Sequence, residues 1–334
     1  MAKVNPPTIS RAIVKARQHA QAPHTMRHPL PIPTAAAATR AVYRRADLPM
    51  VAVAHAMLGV ARWRLGRWAR VCTGLAITLS AAAEPAIYLL GEVHDNPEGH
   101  ALRFERIAHI VHSAPLPVIA MEQFDREKQA LLDAAMRECS DAACVIGRAG
   151  GSGWDWPLYR PVIDLALRQH VPLVAANVSA HEARQVVRNG LTAALDAAVL
   201  TEFGLAAGIP PALDALQREA VFLGHCQMVP KSALGGMVQA QVARDVWMAH
   251  VVRTQLQKGA TVLLLAGNGH VRKDAGVYQW LTAMERQRTQ VHAYLESPQT
   301  GDEAAFDQVH AVASVQREDP CAAFAAPASG RATP

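Results

Sequence analysis

From residue 85 onward the chain alternates short, continuous apolar runs with longer stretches in which apolar residues return every third or fourth position. The short runs lie at 85–91 (PAIYLLG), 116–121 (LPVIAM), 171–176 (VPLVAA), 261–266 (TVLLLA) and 290–295, and each reads as a buried strand. Helical spacing runs through 97–113, carried by Leu102, Ile107, Ile110 and Val111. It returns at 126–137, from about Pro157, at 181–188, at 212–223 and at 234–257. Strands without polar alternation, separated by helices, predict an α/β fold: a mainly parallel sheet flanked by helices, in one domain over 84–318. The Ala/Pro-rich end, 319–334, is expected to be disordered.

Upstream the pattern changes. Residues 1–56 show no sustained periodicity and are expected to be a leader or disordered segment, with translation starting at Met50 or Met57. Arg62, Arg64, Arg67 and Arg70 then precede an uncharged apolar run, 71–83, that ends in small residues. Basic segment, short apolar segment and small-residue exit predict a signal peptide over 57–83. The run is shorter than the about 20 apolar residues of a comfortable membrane span. The expected location is therefore the periplasm or cell envelope.

Composition refines this picture. At 51% hydrophobic and 18% charged, the chain is not wholly disordered. Its net charge of +5 would invite a nucleic-acid partner, but residues 1–83 hold 12 of the 33 basic residues and one of the 28 acidic ones. The remainder is acidic, which argues against nucleic-acid binding. Cys139 and Cys144 flank a four-residue segment and are either a local disulfide or two buried thiols. Their spacing does not match a zinc CxxC pair.

Open α/β sheets bind ligands beyond the carboxyl ends of their strands. The first predicted strand exits into Gly91-Glu92-Val93-His94, the second into Glu122-Gln123, the third into Asn177-Val178-Ser179 and the fourth into Gly267-Asn268-Gly269-His270. Glycine lets backbone approach a ligand closely, and the imidazole three residues later can face the same crevice. His94, His270, Glu92 and Glu122 are thus expected to share one pocket, with His225 of "GHC" as a further candidate. His94, His270 and Glu122 could hold a divalent metal, with Glu92 or Glu122 activating water in a peptide or ester hydrolase. The same groups could instead do metal-free acid/base work. His100, His109 and His112 are expected on a helix surface.

The ordered set "YLLGEVHDNPEGH", "MEQFDR", "GWDWPLYRP", "VPLVAANVS", "GHCQMVP" and "LLLAGNGHVRKDAGV" resembles the ChaN-type haem-binding uptake family of the Tiki superfamily, over about residues 87–294. The resemblance implies an α/β fold, an exported protein, haem as cofactor and a role in iron acquisition. It also implies a possible outer-membrane uptake receptor and a homodimer as partners. Superfamily branches with protease and erythromycin esterase activity carry related motifs, so both uses of the site stay open. Relatives of the ChaN type are similar in using a tyrosine ligand assisted by a histidine across a dimer interface. Candidates here are Tyr159, beside Arg160 as a propionate partner, and Tyr278, with His94, His225, His270, Asn177 and Asn268 as further cofactor contacts. Trp154 and Trp156 either wall a flat ligand or pack the loop onto the sheet. Met237, Gln241, Arg244, Met248 and Val251 form one helical stripe whose polar members could look into the crevice.

Overall fold

The computed structural model describes residues 86–296, 303–319 and 321–322. The expected leader, the signal peptide and residues 323–334 lie outside them. In chain order the main elements are β1 (Ile87–Leu90), α1 (Pro97–Ser113), β2 (Pro117–Asp125), α2 (Gln129–Glu138), α3 (Ala142–Ala149), α4 (Arg160–Gln169) and β3 (Leu173–Asn177). They continue with α5 (Ala180–Asn189), α6 (Ala197–Glu202), α7 (Pro211–Gly224), α8 (Lys231–Gln257), β4 (Thr261–Leu265), α9 (Asn268–Val271), α10 (Ala283–Gln287), β5 (Thr289–Glu296) and β6 (Gln308–Val312).

The six strands form one sheet in the order β3-β2-β4-β1-β5-β6. Every pairing is parallel. The uninterrupted apolar runs follow from this layout, because side chains alternate between two faces and both are covered. Ile87 and Leu89 pack with Val118, Val262 and Leu264 against α5–α8. Tyr88 and Leu90 pack with Ile119, Met121 and Leu263 against α1–α4. The long helix α8 buries residues nearly all round its middle, from Val238 to Val252.

The sheet differs from expectation at its edges. Strand β2 runs on through Glu122 to Asp125, with a register irregularity after Met121. β3 begins only at Leu173, because Pro172 brings no N–H to the ladder. The edge strand β6 was not foreseen, since its short run is mostly exposed or half-buried. The outer edge of β3 is covered by a side chain: Gln129 donates to Leu173 O (3.2 Å) and accepts from Ala175 N–H (2.6 Å), as a neighbouring strand would.

Among the described residues two disulfides form, Cys139–Cys144 and Cys226–Cys321. The first resolves the alternative left open at that pair. The second fixes Cys321 to the turn between α7 and α8.

The β5–β6 edge holds a buried histidine. His292 Nε2–H donates to Gln290 Oε1 (3.0 Å), and its Nδ1 lies 3.2 Å from His310 Nε2. Burial, then the charge of Arg106 and the neighbouring His310, lower the His292 pKa from 6.5 to about 4. Below pH 6.5 the unfolded chain binds a proton there that the folded chain refuses. The stabilising effect of neutral His292 is therefore lost as pH falls from 6.5 toward 4. Replacing His292 with Gln is expected to flatten this limb by about 1–2 kcal/mol. Denaturant unfolding across that pH range measures the change; an unaltered slope would show that His292 does not carry it.

Candidate functional site

The site is built at the carboxyl ends of β1, β2 and β4. β1 stops at Leu90 and Gly91 turns the chain, its N–H donating to His292 O (2.8 Å). Asn96 then caps α1 by accepting from Gly99 N–H (2.8 Å), with Pro97 at the first helical position. Between them Glu92 is buried. It is ion-paired with the equally buried Arg103 of α1. Its Oε1 accepts from Tyr159 Oη–H (2.5 Å), from Gln123 Nε2–H (3.2 Å) and from His94 Nδ1–H (2.5 Å). Burial works against ionisation of Glu92, but Arg103 and the His94 hydrogen bond outweigh it and hold the carboxyl well below the usual range.

An ionised carboxylate only accepts, so it fixes the His94 proton on Nδ1. In the neutral ring Nε2 is then the lone-pair nitrogen, and this atom is buried without a hydrogen-bond partner. It lies 3.0 Å from where a Cβ at Gly267 would stand, so glycine is needed there for close approach. The Trp154 ring meets His94 edge-on, with centroids 4.9 Å apart.

The second half of the site closes around Glu122. Its Oε2 accepts Gly267 N–H (2.8 Å) and its Oε1 lies 3.4 Å from His270 Nε2. His270 Nδ1–H meets Asp245 Oδ1 of α8 at 2.6 Å, and Gln241 of the same helix approaches the ring at 2.9 Å. Burial opposes charge on His270, yet the flanking Glu122 and Asp245 raise its pKa to about 10. Burial likewise opposes charge on Glu122, whose pKa is nonetheless lowered to about 2, chiefly by His270. Arg244, one turn along α8, lies in the field of Glu122, Asp245 and Asp125, while its Nε–H reaches Val178 O at 3.4 Å.

The structure thus brings Glu92, His94, Glu122 and His270 together. It places the other expected residues differently. Tyr159 is fully buried with its hydroxyl committed to Glu92, so it presents no free phenol as an axial ligand. Arg160 is exposed at the start of α4. Asn268 is a clamp: its Nδ2–H donates to Tyr294 O (2.7 Å) and its Oδ1 accepts Tyr294 N–H (3.2 Å). Asn177 donates to Asp125 (3.3 Å), leaving its buried Oδ1 unpartnered. His225 ends α7 and bonds to its own Val221 O (2.7 Å). Tyr278 is half-buried against the core beneath Arg286, whose guanidinium carbon is 5.3 Å from the ring centre. His100 is buried, not on the surface, and reaches His94 O at 3.2 Å.

Among the described residues no three His, Cys, Asp or Glu side chains are grouped to hold a metal ion. Both His270 nitrogens face carboxylates, and Glu122 spends its oxygens on Gly267 and His270. Residues that sequence reading passed over are Arg103 and Asp245. Each is a charge set within a buried helical stripe, and that placement is the signal that each needs a partner.

A parallel α/β sheet covered on both faces, with a buried acid–imidazole cluster at its carboxyl edge, defines the class of protein. Within that class the family described as haem-binding uptake, Tiki superfamily, ChaN matches residues 78–281, and the chain belongs to it. Among solved structures the chain is similar to ChaN of Campylobacter jejuni, described with cofacial haem binding. The TM-score is 0.53 and the identity 19%, over 64% of this chain and 83% of that one. An erythromycin esterase mutant in its open conformation is a more distant likeness, at TM-score 0.40 and 16% identity over 73% of this chain and 80% of that one. No curated protein matches the chain significantly.

Proposed function

We propose that this protein is an exported haem-binding protein of iron uptake, and that His94 Nε2 is its iron ligand. The observation that carries the reading is the unpartnered, buried Nε2 of an imidazole whose other nitrogen is held by a carboxylate. Metal-ligating histidines commonly show this arrangement, which fixes the ring and strengthens the donor. Family membership supports haem as the ligand. Bound haem would supply an iron centre for the imidazole. The protein's own residues orient that donor through Glu92, Tyr159 and Arg103, and Trp154 shields it. Arg244, in the field of Glu122, Asp245 and Asp125 beside the site, is the cation this reading assigns to a propionate. The two disulfides support an oxidising compartment, in keeping with export. An uptake receptor and a second copy of the chain are the partners this role calls for.

Titrating the full chain with haemin tests the proposal. A stoichiometric Soret band with the signature of imidazole ligation is expected. His94→Ala should abolish that signature and weaken binding by at least tenfold, while Tyr278→Phe and His225→Ala leave it unchanged. An identical spectrum in His94→Ala would remove His94 as ligand, and absence of any stoichiometric band in the parent chain would remove the carrier role.

A further inference from the structure

Above the site floor two separate pieces of chain meet. Helix α8 leads through residues 258–260 into the start of β4, so its N-terminal end lies on the carboxyl side of the sheet. Gln241 marks the level of His270. The ten residues before it rise about 15 Å further. The turn between α7 and α8, which carries Cys226, therefore stands beyond the strand ends as the tip of a helical arm. Cys226 and Gln227 are both left-handed there (φ 59° each), a conformation that ordinary side chains adopt at a cost.

The second piece leaves β6 at the opposite edge of the sheet. Ala313 O accepts from Asn96 Nδ2–H (2.8 Å), and Ala313 N–H donates to Glu98 (2.7 Å). Val315 N–H donates to Glu296 at the end of β5 (3.3 Å). Arg317 then grips Asp95 with two hydrogen bonds (2.7 and 2.8 Å) and Glu296 with two more (2.6 Å each). Asp95 directly follows His94. Cys321 ends the crossing in its disulfide to Cys226.

We propose that residues 313–319, with Cys321, are a strap drawn across the mouth of the His94 site, and that the Cys226–Cys321 disulfide is its redox latch. The ionic clasp is partly exposed, with Arg317 and Asp95 retaining 20% and 28% side-chain exposure, so salt and solvent screen it as they do not screen a disulfide. The covalent bond holds the strap to the arm. A dithiol reductant opens it by exchange: one thiolate attacks a sulfur and breaks the S–S bond, forming a mixed disulfide. The second thiol of the reductant then resolves that intermediate. Two electrons and two protons pass to Cys226 and Cys321, which become thiols, and the reductant becomes a disulfide. Access to His94, and with it ligand exchange, is thereby coupled to the thiol balance around the protein. The importance of that access rests on the haem reading above; the strap itself does not.

The test uses the full chain and a probe other than haem. Diethylpyrocarbonate labels accessible imidazoles, and peptide mass mapping gives a rate for each one. In the variant Cys226→Ser, Cys321→Ser, labelling of His94 is expected to rise at least tenfold, while exposed His109 keeps its rate. An unchanged His94 rate in a folded double variant overturns the proposal. Should that variant fail to fold, amide exchange over 314–319 in the parent chain, with and without dithiothreitol, decides instead. Faster exchange on reduction supports the strap, and equal exchange overturns it. Haemin added to the same samples separates the two ideas. Loss of haem binding with a His94 rate that still responds to the latch counts against the haem reading alone.

Discussion

Arg103→Ala is expected to destabilise the protein by about 3–5 kcal/mol, the usual cost of stranding one member of a buried ion pair. Arg103 and Glu92 are each 1% exposed, so truncation leaves the carboxylate in the interior without its counter-charge. Removing Arg103 takes away the strongest favourable influence on a carboxyl that burial already opposes. Its folded pKa then rises above the unfolded value. The penalty should grow as pH climbs through the ordinary carboxylate range, because the unfolded chain ionises where the folded chain resists. Urea unfolding at pH 4 and pH 7 measures both the size and this slope. A second substitution, Glu92→Gln in an Arg103→Met background, should recover most of the loss, since a neutral amide and a thioether need no counter-charge. A loss below about 1 kcal/mol in Arg103→Ala would mean that His94 and Tyr159 suffice to hold Glu92 ionised.

The sheet and the position of the site were legible in the sequence for one physical reason. Strands covered on both faces are apolar throughout, so Gly91-Glu92 and Gly267-Asn268 stood out as the places where the apolar runs stop. The convergence of His94 and His270 on Glu122 follows from β2, β4 and β1 being adjacent, which run lengths alone did not give. What could not be read was partnership between helix and loop. Arg103 looks like an ordinary surface arginine until α1 is placed on the sheet; it then falls in the stripe with Ile107 and Ile110 and must find an acid. Asp245 was hidden because α8 is buried nearly all round and gives no single apolar face. Tyr159 read as a candidate ligand because its neighbours Trp154, Trp156 and Arg160 suit a flat anionic group. Only the fold shows its hydroxyl turned inward to Glu92.

Gly91→Ala should cost about 2–4 kcal/mol, although it adds a single methyl group. The reason is space. A Cβ at position 91 would fall on Asn268 Oδ1 and come within 3.0 Å of Val271 Cγ2. Asn268 cannot retreat freely, because its amide holds both the N–H and the C=O of Tyr294 on β5. Displacing it leaves two buried backbone groups unsatisfied, and each such group costs about 1–3 kcal/mol. It also disturbs the short helix that carries His270 two residues later, so the two halves of the site are mechanically joined through one side chain. Coupling is therefore expected: once Asn268→Ala has removed the clamp, Gly91→Ala should add little, and the double variant should lie well short of the sum of the single losses. Thermal or urea unfolding of the four proteins closes this cycle. Strict additivity would show that Gly91 and Asn268 act independently and that the first G-x-x-H corner is not braced against the second.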